Sequence, residues 1–187
     1  MPNNQIFRLR EIDEKDLDMV LRWRNSERIR HNMFTDRVIT ADEHNKWFNK
    51  IKPDSETKCL IFECKGRSVG VVTFTGIDEI NNRCHWGFYL GETDMPPGIG
   101  SIMGFLALEH AFSKLRVRKV CSEVLAFNKA SINLHKKLGF IEEGRLKGHV
   151  LKHGKYEDVI IFALSEDEWQ LRKKQIEGFI QGVLNHE

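Results

Sequence analysis

The chain lacks any long apolar run. No stretch of its 187 residues approaches the roughly 18 apolar residues of a membrane helix, and Met1–Arg10 contains no apolar segment typical of a secretory signal. An excess of one charge is also missing, because 29 Lys and Arg residues are mixed with 27 Asp and Glu residues along the sequence. No broad cationic face is expected, which argues against nucleic acid or membrane partners. We therefore expect a cytoplasmic protein.

Cysteine is scarce, and its spacing does not indicate a metal site. The four cysteines are Cys59, Cys64, Cys84 and Cys121, which lie in or beside apolar, strand-like segments. They lack the short paired spacings of a zinc site, so reduced and packed thiols are expected. The histidines offer no convincing metal triad either. We predict no metal.

The composition fits one domain of ordinary size. Hydrophobic residues make up 41% of the chain and charged residues 30%, which is typical of a globular protein. No repeat, low-complexity tract or linker interrupts the sequence. We predict a single domain over residues 1–187, with a core over 6–164 and a C-terminal amphipathic helix over 165–184.

The order of predicted elements indicates an α/β protein with a mixed sheet. Pairs such as Thr40 with Glu43 and Ser165 with Glu168 are typical of helix starts, and Gly139 is typical of a helix end. Early and late strands form antiparallel pairs. The strands are predicted at 6–12, 58–64, 68–77, 83–91, 119–125, 141–151 and 156–164. The helices are predicted after Asp13, after Thr40, at 101–115 and 129–138, and from 165.

A glycine loop separates the fourth predicted strand from the next helix. Its sequence is Gly98-Ile99-Gly100-Ser101. A helix N-terminus that follows such a loop offers unpaired N–H groups and the positive end of the helix dipole to a phosphate. A side chain in place of glycine would hold the phosphate oxygens away from the backbone. Taken alone, however, the pattern also fits an ordinary loop.

The context of this loop resembles the acetyl-CoA-binding core of the GNAT acetyltransferases. The matching run comprises Trp86–Gly91, the loop to Gly100, the helix to Leu115, a strand that reaches Glu123, and Asn128–Phe140. The last segment is close to the pattern N-x-x-A/S-x-x-x-Y-x-x-x-G-F, which is specific when a glycine loop precedes it by about thirty residues. The resemblance covers nearly the whole chain. It implies acetyl-CoA as co-substrate, a mixed sheet with two splayed central strands, and helices on both faces.

The resemblance also implies which residues hold the co-substrate. Phe88, Tyr89 and Leu90 would contact the pantetheine arm between the splayed strands. The pyrophosphate would bind at Gly98, Ile99, Gly100 and Ser101, while Asn128 and Ser131 would approach from the other side. Met95 departs from the family, which usually has Gln or Arg three residues before the first loop glycine. One side-chain contact to phosphate is therefore missing, and weaker affinity for the co-substrate is expected.

Two residues are candidates for the chemistry. Transfer of an acetyl group from a thioester to an amine needs a base for the ammonium proton and an acid for the departing thiolate. Related ribosomal-protein alanine acetyltransferases carry a carboxylate five residues before the asparagine and a tyrosine seven residues after it, and these offsets fall on Glu123 and His135. Glu123 is the candidate base, acting through water, or a strand carboxylate paired with a cation. His135 is the candidate acid, or only a hydrogen-bonding group near the sulfur.

The acceptor is suggested by a cluster of cationic, amide and aromatic groups. These residues are Arg24, Asn25, Arg30, His44, Trp47 and, in the fourth strand, Trp86. Arginine and asparagine can bind a diphosphate or the edge of a base, and aromatic rings can stack on a base or a sugar. Alternatively, Trp47 is a core aromatic and the long stem of Arg24 reaches solvent. The residues alone predict an anionic acceptor that carries an amine.

Five stretches resemble the N-acetyltransferases of pseudaminic acid biosynthesis: Leu21–Ser26, Asn32–Asp36, Glu43–Phe48, Trp86–Tyr89 and Glu123–Asn128. That resemblance implies acetylation of the 4-amine of a UDP-linked 4-amino-4,6-dideoxy-N-acetyl-altrosamine, with Arg24, Asn25, Arg30 and His44 facing the UDP portion. The alternatives are an acetyltransferase for ribosomal proteins, other N-termini or small amines, and a non-catalytic acyl-CoA-binding module. The C-terminal helix could pack on its own core or against a second subunit in a homodimer.

Overall fold

A computed structural model describes residues 6–184 of the chain. A 3-10 turn at Glu14–Asp16 precedes the first helix. The strands are β1 (Phe7–Glu11), β2 (Lys58–Cys64), β3 (Arg67–Asp78), β4 (Arg83–Leu90), β5 (Lys119–Leu125), β6 (Ile141–Lys152) and β7 (Lys155–Ser165). The helices are α1 (Leu17–Asn25), α2 (Glu27–Arg30), α3 (Ala41–Ile51), α4 (Ile99–Ser113), α5 (Lys129–Leu138) and α6 (Glu166–Leu184).

The described strands form one seven-stranded mixed sheet. Its order is β1-β2-β3-β4-β5-β7-β6. β4 and β5 pair in parallel, because the connection through α4 returns the chain to the same end of the sheet. The other neighbouring pairs are antiparallel. The sheet is therefore made of a β1–β4 half and a β5–β7–β6 half that meet at one parallel contact.

Helices cover both faces of the sheet, as predicted. On one face, α4, α5 and α6 bury Phe105, Leu138 and Trp169 against the sheet residues Phe62 and Phe162. On the other face, a smaller cluster joins Val20 and Trp23 of α1 and Ile29 of α2 to Ile61 and Val71 of the sheet. Strands buried on both faces explain why β2 and β3 read as nearly continuous apolar runs.

The start of the second predicted helix has the expected capping geometry. The Thr40 hydroxyl accepts a hydrogen bond from the backbone N–H of Glu43, and the Glu43 carboxylate accepts one from the backbone N–H of Thr40. This reciprocal pair satisfies two N–H groups that the helix leaves free. At the end of α5, Gly139 adopts φ +96°, which glycine tolerates better than other residues. Both helix boundaries agree with the sequence.

Helices α1 and α4 differ from their predicted extents. The first helix is interrupted at Ser26, whose ψ of 141° is extended, so that α2 begins as a separate short helix. The buried positions of α1 are Val20 and Trp23. Helix α4 begins at Ile99, two residues before the predicted Ser101, because Gly98 with φ +95° serves as its N-cap. The glycine loop thus lies partly within the first turn of the helix.

The C-terminal helix packs on its own core. Trp169, Ile176 and Ile180 are at most 5% exposed, and the Trp169 indole N–H donates to the Glu109 carboxylate of α4. Phe179 of the same helix is 43% exposed. The four cysteines are buried, as predicted for packed thiols, and none of them forms a disulfide within residues 6–184. Within residues 6–184, no helix combines the length and the apolar character required to cross a membrane.

Candidate active site

A cleft opens between the two central strands. β4 and β5 pair only over Arg83–His85 and Lys119–Cys121. Beyond this point β4 continues to pair with β3, and β5 with β7, but the two strands no longer pair with each other. Their inner edges therefore face a gap, and backbone groups on an unpaired strand edge can bind an extended ligand as an added strand would. The predicted splay is present.

A buried histidine lies at the vertex of this cleft. The Trp86 indole N–H of β4 donates to His135 Nε2 over 3.2 Å, and the Ser122 hydroxyl of β5 lies 2.9 Å from the same nitrogen. His135 Nδ1 lies 2.8 Å from the backbone oxygen of Ser131, one turn earlier in α5. The imidazole therefore joins the two strands through side chains at the point where their backbone pairing ends.

These contacts assign the proton of the ring. A carbonyl oxygen only accepts, so Nδ1 carries the hydrogen that is donated to Ser131, and Nε2 accepts from Trp86 and Ser122. Burial lowers the pKa of His135 to about 4. At neutral pH the ring has no free N–H with which to protonate a thiolate. This geometry contradicts the expectation of His135 as general acid, because the imidazole that replaces the usual tyrosine is enclosed and fully hydrogen-bonded.

The cleft is part of a large cavity of about 980 Å³. Most of the predicted site residues line it. On the co-substrate side these are Phe88, Tyr89, Leu90, Gly98, Gly100, Ser101, Asn128 and Ser131, and elsewhere in the cavity they are Arg24, His44, Trp47, Trp86, Glu123 and His135. One space thus collects residues from α1, α3, β4, α4, β5 and α5, which are distant in sequence.

The loop at the start of α4 has the features required for phosphate binding. Ser101 N and Ile102 N donate to the Gly98 carbonyl oxygen, while the N–H groups of Gly98 and Gly100 have no backbone partner within residues 6–184. A Cβ at Gly100 would meet the nearest side chains at 3.8 Å, an ordinary contact. The protein itself therefore does not require glycine there, which is consistent with space kept for a ligand. The side chain of Ile99 is 4% exposed and packs in the core, and its backbone N–H donates to Pro96 O over 3.4 Å, so the predicted contact of Ile99 with the pyrophosphate would be made by its backbone.

The other co-substrate residues lie around the splayed strands. Phe88 and Leu90 pack towards the α4 and α5 face, whereas Tyr89 packs with the α1 cluster on the opposite face. Burial raises the pKa of the Tyr89 phenol. The Asn128 side chain accepts from Ser131 N over 3.1 Å and so caps α5. Met95 packs partly buried against the core, so the phosphate loop has no side-chain cation at this position.

Glu123 follows the vertex residue Ser122 on β5 and is exposed to the cavity. Among the described residues, its carboxylate has no hydrogen-bond or ion-pair partner. The alternative of a strand carboxylate paired with a neighbouring cation is therefore not seen. A free carboxylate beside the splayed strands can accept a proton directly or through water.

The other end of the cavity contains two buried polar atoms without partners. These are Arg24 Nη1 and His44 Nε2, both of which have no hydrogen bond within the described chain. Burial lowers the pKa of both side chains, and the ring of His44 is 5% exposed and stacks on Trp47 at 5.0 Å. A buried polar atom without a partner costs free energy, so such atoms in a cavity wall indicate a place for a ligand.

Two predicted acceptor residues do not line the cavity. The Asn25 side chain donates to Ile39 O and accepts from Ile39 N, both over 2.8 Å. The Arg30 guanidinium donates to the backbone oxygens of Asn25 and Asp36. Both side chains hold the backbone between α2 and α3, so the prediction that they face the acceptor is wrong. Their residue types are equally suited to binding peptide oxygens, which the sequence could not distinguish from a ligand.

Several lining residues were missed. Arg28 and Arg37 line the cavity beside Arg24, and Arg28 donates to the backbone oxygens of Leu90 and Gly91. Arg28 comes from α2 and Arg37 from the segment that follows it, so the excess of arginine around the predicted acceptor residues was an available signal. Ser122 was missed because one hydroxyl in an apolar strand has no distinctive pattern. Within residues 6–184, no group of three or more His, Cys, Asp or Glu side chains is arranged to hold a metal ion.

The chain matches the acetyltransferase (GNAT) domain family over residues 7–141. It belongs to this family. This membership identifies an enzyme that transfers an acetyl group from acetyl-CoA, and the splayed strands and the glycine loop before α4 agree with it. The unpaired inner edge of β4 and the free N–H groups of Gly98 and Gly100 suit the pantetheine arm and the pyrophosphate of that co-substrate.

Three relatives illustrate the similarity, and of these three names only that of the spermidine N-acetyltransferase states an acceptor. The chain is 30% identical to the prophage-derived uncharacterized N-acetyltransferase YokL of Bacillus subtilis over 71% of this chain and 75% of that protein. It is 25% identical to the acetyltransferase PseH of Campylobacter jejuni over 70% of this chain and 80% of PseH. A spermidine N-acetyltransferase from Vibrio cholerae, solved with CoA and spermine, superposes with a TM-score of 0.84 at 22% identity, covering 90% of this chain and 99% of that chain. The likeness to that structure shows the fold alone.

Proposed function

We propose that the enzyme acetylates the 4-amine of a UDP-linked 4-amino-4,6-dideoxy sugar, as a step of pseudaminic acid biosynthesis. One observation carries this proposal. The end of the cavity formed by α1–α3, which we call the acceptor end, contains two buried polar atoms without partners, Arg24 Nη1 and His44 Nε2. The other charged residues that line it are mainly arginines. Such a wall suits an anionic acceptor with a planar, hydrogen-bonding base.

The charges at this end disfavour a polyamine. Arg24, Arg28 and Arg37 line it, and the nearby carboxylate of Glu43 is bound by Arg37 at 2.7 Å. That hydrogen bond lowers the pKa of Glu43 to about 2. A polyamine carries several ammonium groups and needs free carboxylates, whereas a diphosphate is attracted by arginine. The acceptor class of the Vibrio cholerae relative is therefore not extended to this chain.

The rings at the same end support recognition of a base. His44 and Trp47 stack with an interplanar angle of 20° and present flat apolar surface. Burial lowers the pKa of His44, so the ring is neutral at neutral pH and one of its nitrogens is an acceptor. The free Nε2 can then accept a hydrogen bond from an N–H such as the imide of uracil, while Arg24 donates to a carbonyl or phosphate oxygen.

The reaction requires few groups of this chain. The acceptor amine attacks the thioester carbonyl of bound acetyl-CoA, the C–N bond forms and the C–S bond breaks. CoA leaves as the thiolate, which takes up the proton that the nitrogen loses when the amide forms. Glu123 takes the proton from the incoming ammonium group, directly or through water. Backbone N–H groups on the inner edge of β4 stabilise the oxyanion. His135 is a positioning residue that holds Trp86 and Ser122 at the vertex.

A pH profile tests the role of His135. If His135 only positions its neighbours, His135→Gln lowers kcat but leaves the alkaline limb of the kcat profile unchanged. If the alkaline limb shifts or disappears in the variant, His135 is the general acid after all and this part of the proposal is wrong.

A comparison of acceptors tests the proposal as a whole. Thiol release from acetyl-CoA is measured at steady state with a UDP-4-amino-dideoxy sugar, with a peptide N-terminus and with spermidine. We expect a kcat/KM for the sugar nucleotide at least about 100-fold above the other two, since each desolvated charge-assisted contact contributes 1.5–3 kcal/mol. Preference for the peptide would instead support a ribosomal-protein or N-terminal acetyltransferase, and preference for spermidine would contradict the argument from charge.

A further inference from the structure

The two halves of the sheet meet at a second place besides the vertex. We define the acceptor loop as residues 31–40, which connect α2 to α3 and line the cavity through Asn32, Met33, Arg37 and Ile39. This loop belongs to the β1–β4 half of the molecule. Across the cleft it contacts the turn between β6 and β7, which belongs to the other half. The two residues that form this contact, Met33 and Lys152, are 119 positions apart in the sequence.

A buried lysine makes this contact. Lys152 is the last residue of β6, and its side chain is 2% exposed. Its Nζ donates to the backbone oxygen of Met33 over 2.5 Å and lies 3.6 Å from the Asp36 carboxylate. A buried ammonium group is costly unless its hydrogens are bound, so the position of the Met33 carbonyl and that of Lys152 depend on each other.

Ring contacts accompany the lysine. His31 of the acceptor loop lies 4.9 Å from the Phe127 ring, which directly precedes Asn128, and 6.2 Å from the ring of His153. His153 Nε2 is 3.3 Å from the Asp36 carboxylate. The loop therefore touches the far half of the molecule at two points, the β6–β7 turn and the start of α5. Of the groups involved, only Lys152 is buried.

The remaining bonds to the acceptor loop come from its own half. Arg24 Nη2 donates to Thr35 O over 2.7 Å, Arg30 donates to Asp36 O, and Asn25 binds Ile39. These residues belong to α1 and α2, which would carry the loop with them in any movement of that half. Lys152 is placed differently, because it fixes the loop relative to β5 and α5, where the co-substrate binds.

We propose that Lys152 is a positioning residue for the acceptor, which it fixes in register with the thioester by holding the acceptor loop across the mouth of the cleft. This inference rests on the proposed function in one respect, namely that the acceptor binds at the α1–α3 end of the cavity. Lys152 does not touch the reacting atoms. Lys152 fixes the position of Asn32 and Met33 relative to β5. If these two residues move, the acceptor no longer binds in the geometry needed for reaction.

The test is the isosteric substitution Lys152→Met. We expect the KM for the acceptor to rise about 10- to 100-fold, the equivalent of one lost charge-assisted hydrogen bond. The Kd for CoA, measured by titration calorimetry, is expected to stay within about twofold of wild type. Amide hydrogen exchange in residues 31–40 is expected to accelerate by at least about tenfold, because the loop opens more often once Lys152 no longer holds it.

Lys155→Met is the matched control, since Lys155 lies across the same turn but is exposed and pairs with Glu157 at 3.2 Å. We expect no change in KM, Kd or loop exchange for this variant. If Lys152→Met is too unstable to purify, Lys152→Gln retains a donor of similar reach and is expected to show a smaller effect in the same directions. The proposal is overturned if loop exchange is unchanged, or if CoA affinity and acceptor KM worsen equally. Hydrogen exchange and calorimetry need no acceptor. They therefore show whether Lys152 holds the acceptor loop without affecting CoA binding, even if the proposed sugar nucleotide is not a substrate.

Discussion

Two buried histidines line the same cavity and differ in what their Nε2 atoms contact. His135 is 1% exposed at the vertex, and both of its ring nitrogens have partners on β4, β5 and α5. His44 is 5% exposed at the acceptor end, and its Nε2 has no partner within residues 6–184. Burial lowers the pKa of both rings, so at neutral pH each is uncharged.

The difference separates a polar group whose hydrogen bonds are made within the protein from one whose nitrogen stays unpaired in the cavity wall. At the vertex the hydrogen bonds of His135 replace the backbone pairs that β4 and β5 give up, and this stabilises the splay. At the other end of the cavity, His44 Nε2 stays unpaired, which costs free energy. A protein tolerates this cost where a bound ligand supplies the missing hydrogen bond. Burial and a lowered pKa alone would have classified both residues in the same way. The hydrogen-bond partners are what distinguish them.

The largest expected effect is that of substituting the candidate base, Glu123, which lines the same cavity as the two histidines. Glu123→Gln is expected to lower kcat about 100- to 10,000-fold, because the base is lost while the shape is kept. The Kd for CoA from calorimetry should be unchanged. Glu142→Gln, at an exposed position on β6, is the control and should behave as wild type. A Glu123→Gln enzyme with near-normal kcat would place the base elsewhere, with His44 as the first residue to examine.

The next effect concerns the stability that His135 confers. Its folded-state pKa of about 4 lies below the ordinary 6.5, so the unfolded chain binds the extra proton first as pH falls. Stability should therefore decline from pH 6.5 downwards, with a total contribution of about 3 kcal/mol reached near pH 4. Urea unfolding is expected to show about 2 kcal/mol of this loss between pH 7 and pH 5.

The control for this prediction is His135→Gln, which removes the titrating ring. His44 and His110 also have lowered pKa values, so they too make the free energy of unfolding fall as pH decreases. The variant should therefore show a smaller decline than wild type and not a pH-independent stability. If wild type and variant declined equally, the ring of His135 would not be neutral in the folded protein, and its contrast with His44 would fail.

A smaller effect is expected from the reserved atoms at the acceptor end. Arg24→Met should lower kcat/KM for the sugar-nucleotide acceptor about 10- to 100-fold through a higher KM, since one charge-assisted contact is lost. The KM for acetyl-CoA should not change. Arg22→Met, an exposed position on the same helix, provides the comparison. Equal effects of both substitutions would indicate general charge attraction and not a specific contact by Arg24.

The smallest effect addresses the co-substrate end. Met95→Gln restores a hydrogen-bonding side chain at the position where the family usually has Gln or Arg, and should tighten CoA binding about two- to fivefold. Calorimetry with CoA measures this directly. Because Met95 packs partly buried against the core, the melting temperature is followed in parallel. Affinity that stays unchanged at an unchanged melting temperature would mean that the backbone N–H groups of Gly98 and Gly100 already suffice for the phosphates.

Much of the fold was readable because it depends on local patterns. The strand at 119–125 and the helix at 129–138 were predicted with their observed bounds, and Thr40 with Glu43 marked the start of α3. The site was readable in part for a different reason, namely that the glycine loop and Asn128 occur in a specific order. The side chains of Asn25 and Arg30 could not be assigned, because a donor that binds a peptide carbonyl looks the same in sequence as one that binds a ligand.

By itself the sequence determined the alternation of strands and helices, the glycine loop before α4 and the presence of a carboxylate and an imidazole at offsets known from the family. These properties depend on neighbours within a few residues or on spacing along one element. Only the tertiary structure decided that His135 is enclosed and neutral, that His44 retains a free nitrogen, and that Lys152 reaches the acceptor loop. Each of these depends on burial and on partners from distant segments, and a pattern along the chain does not encode them.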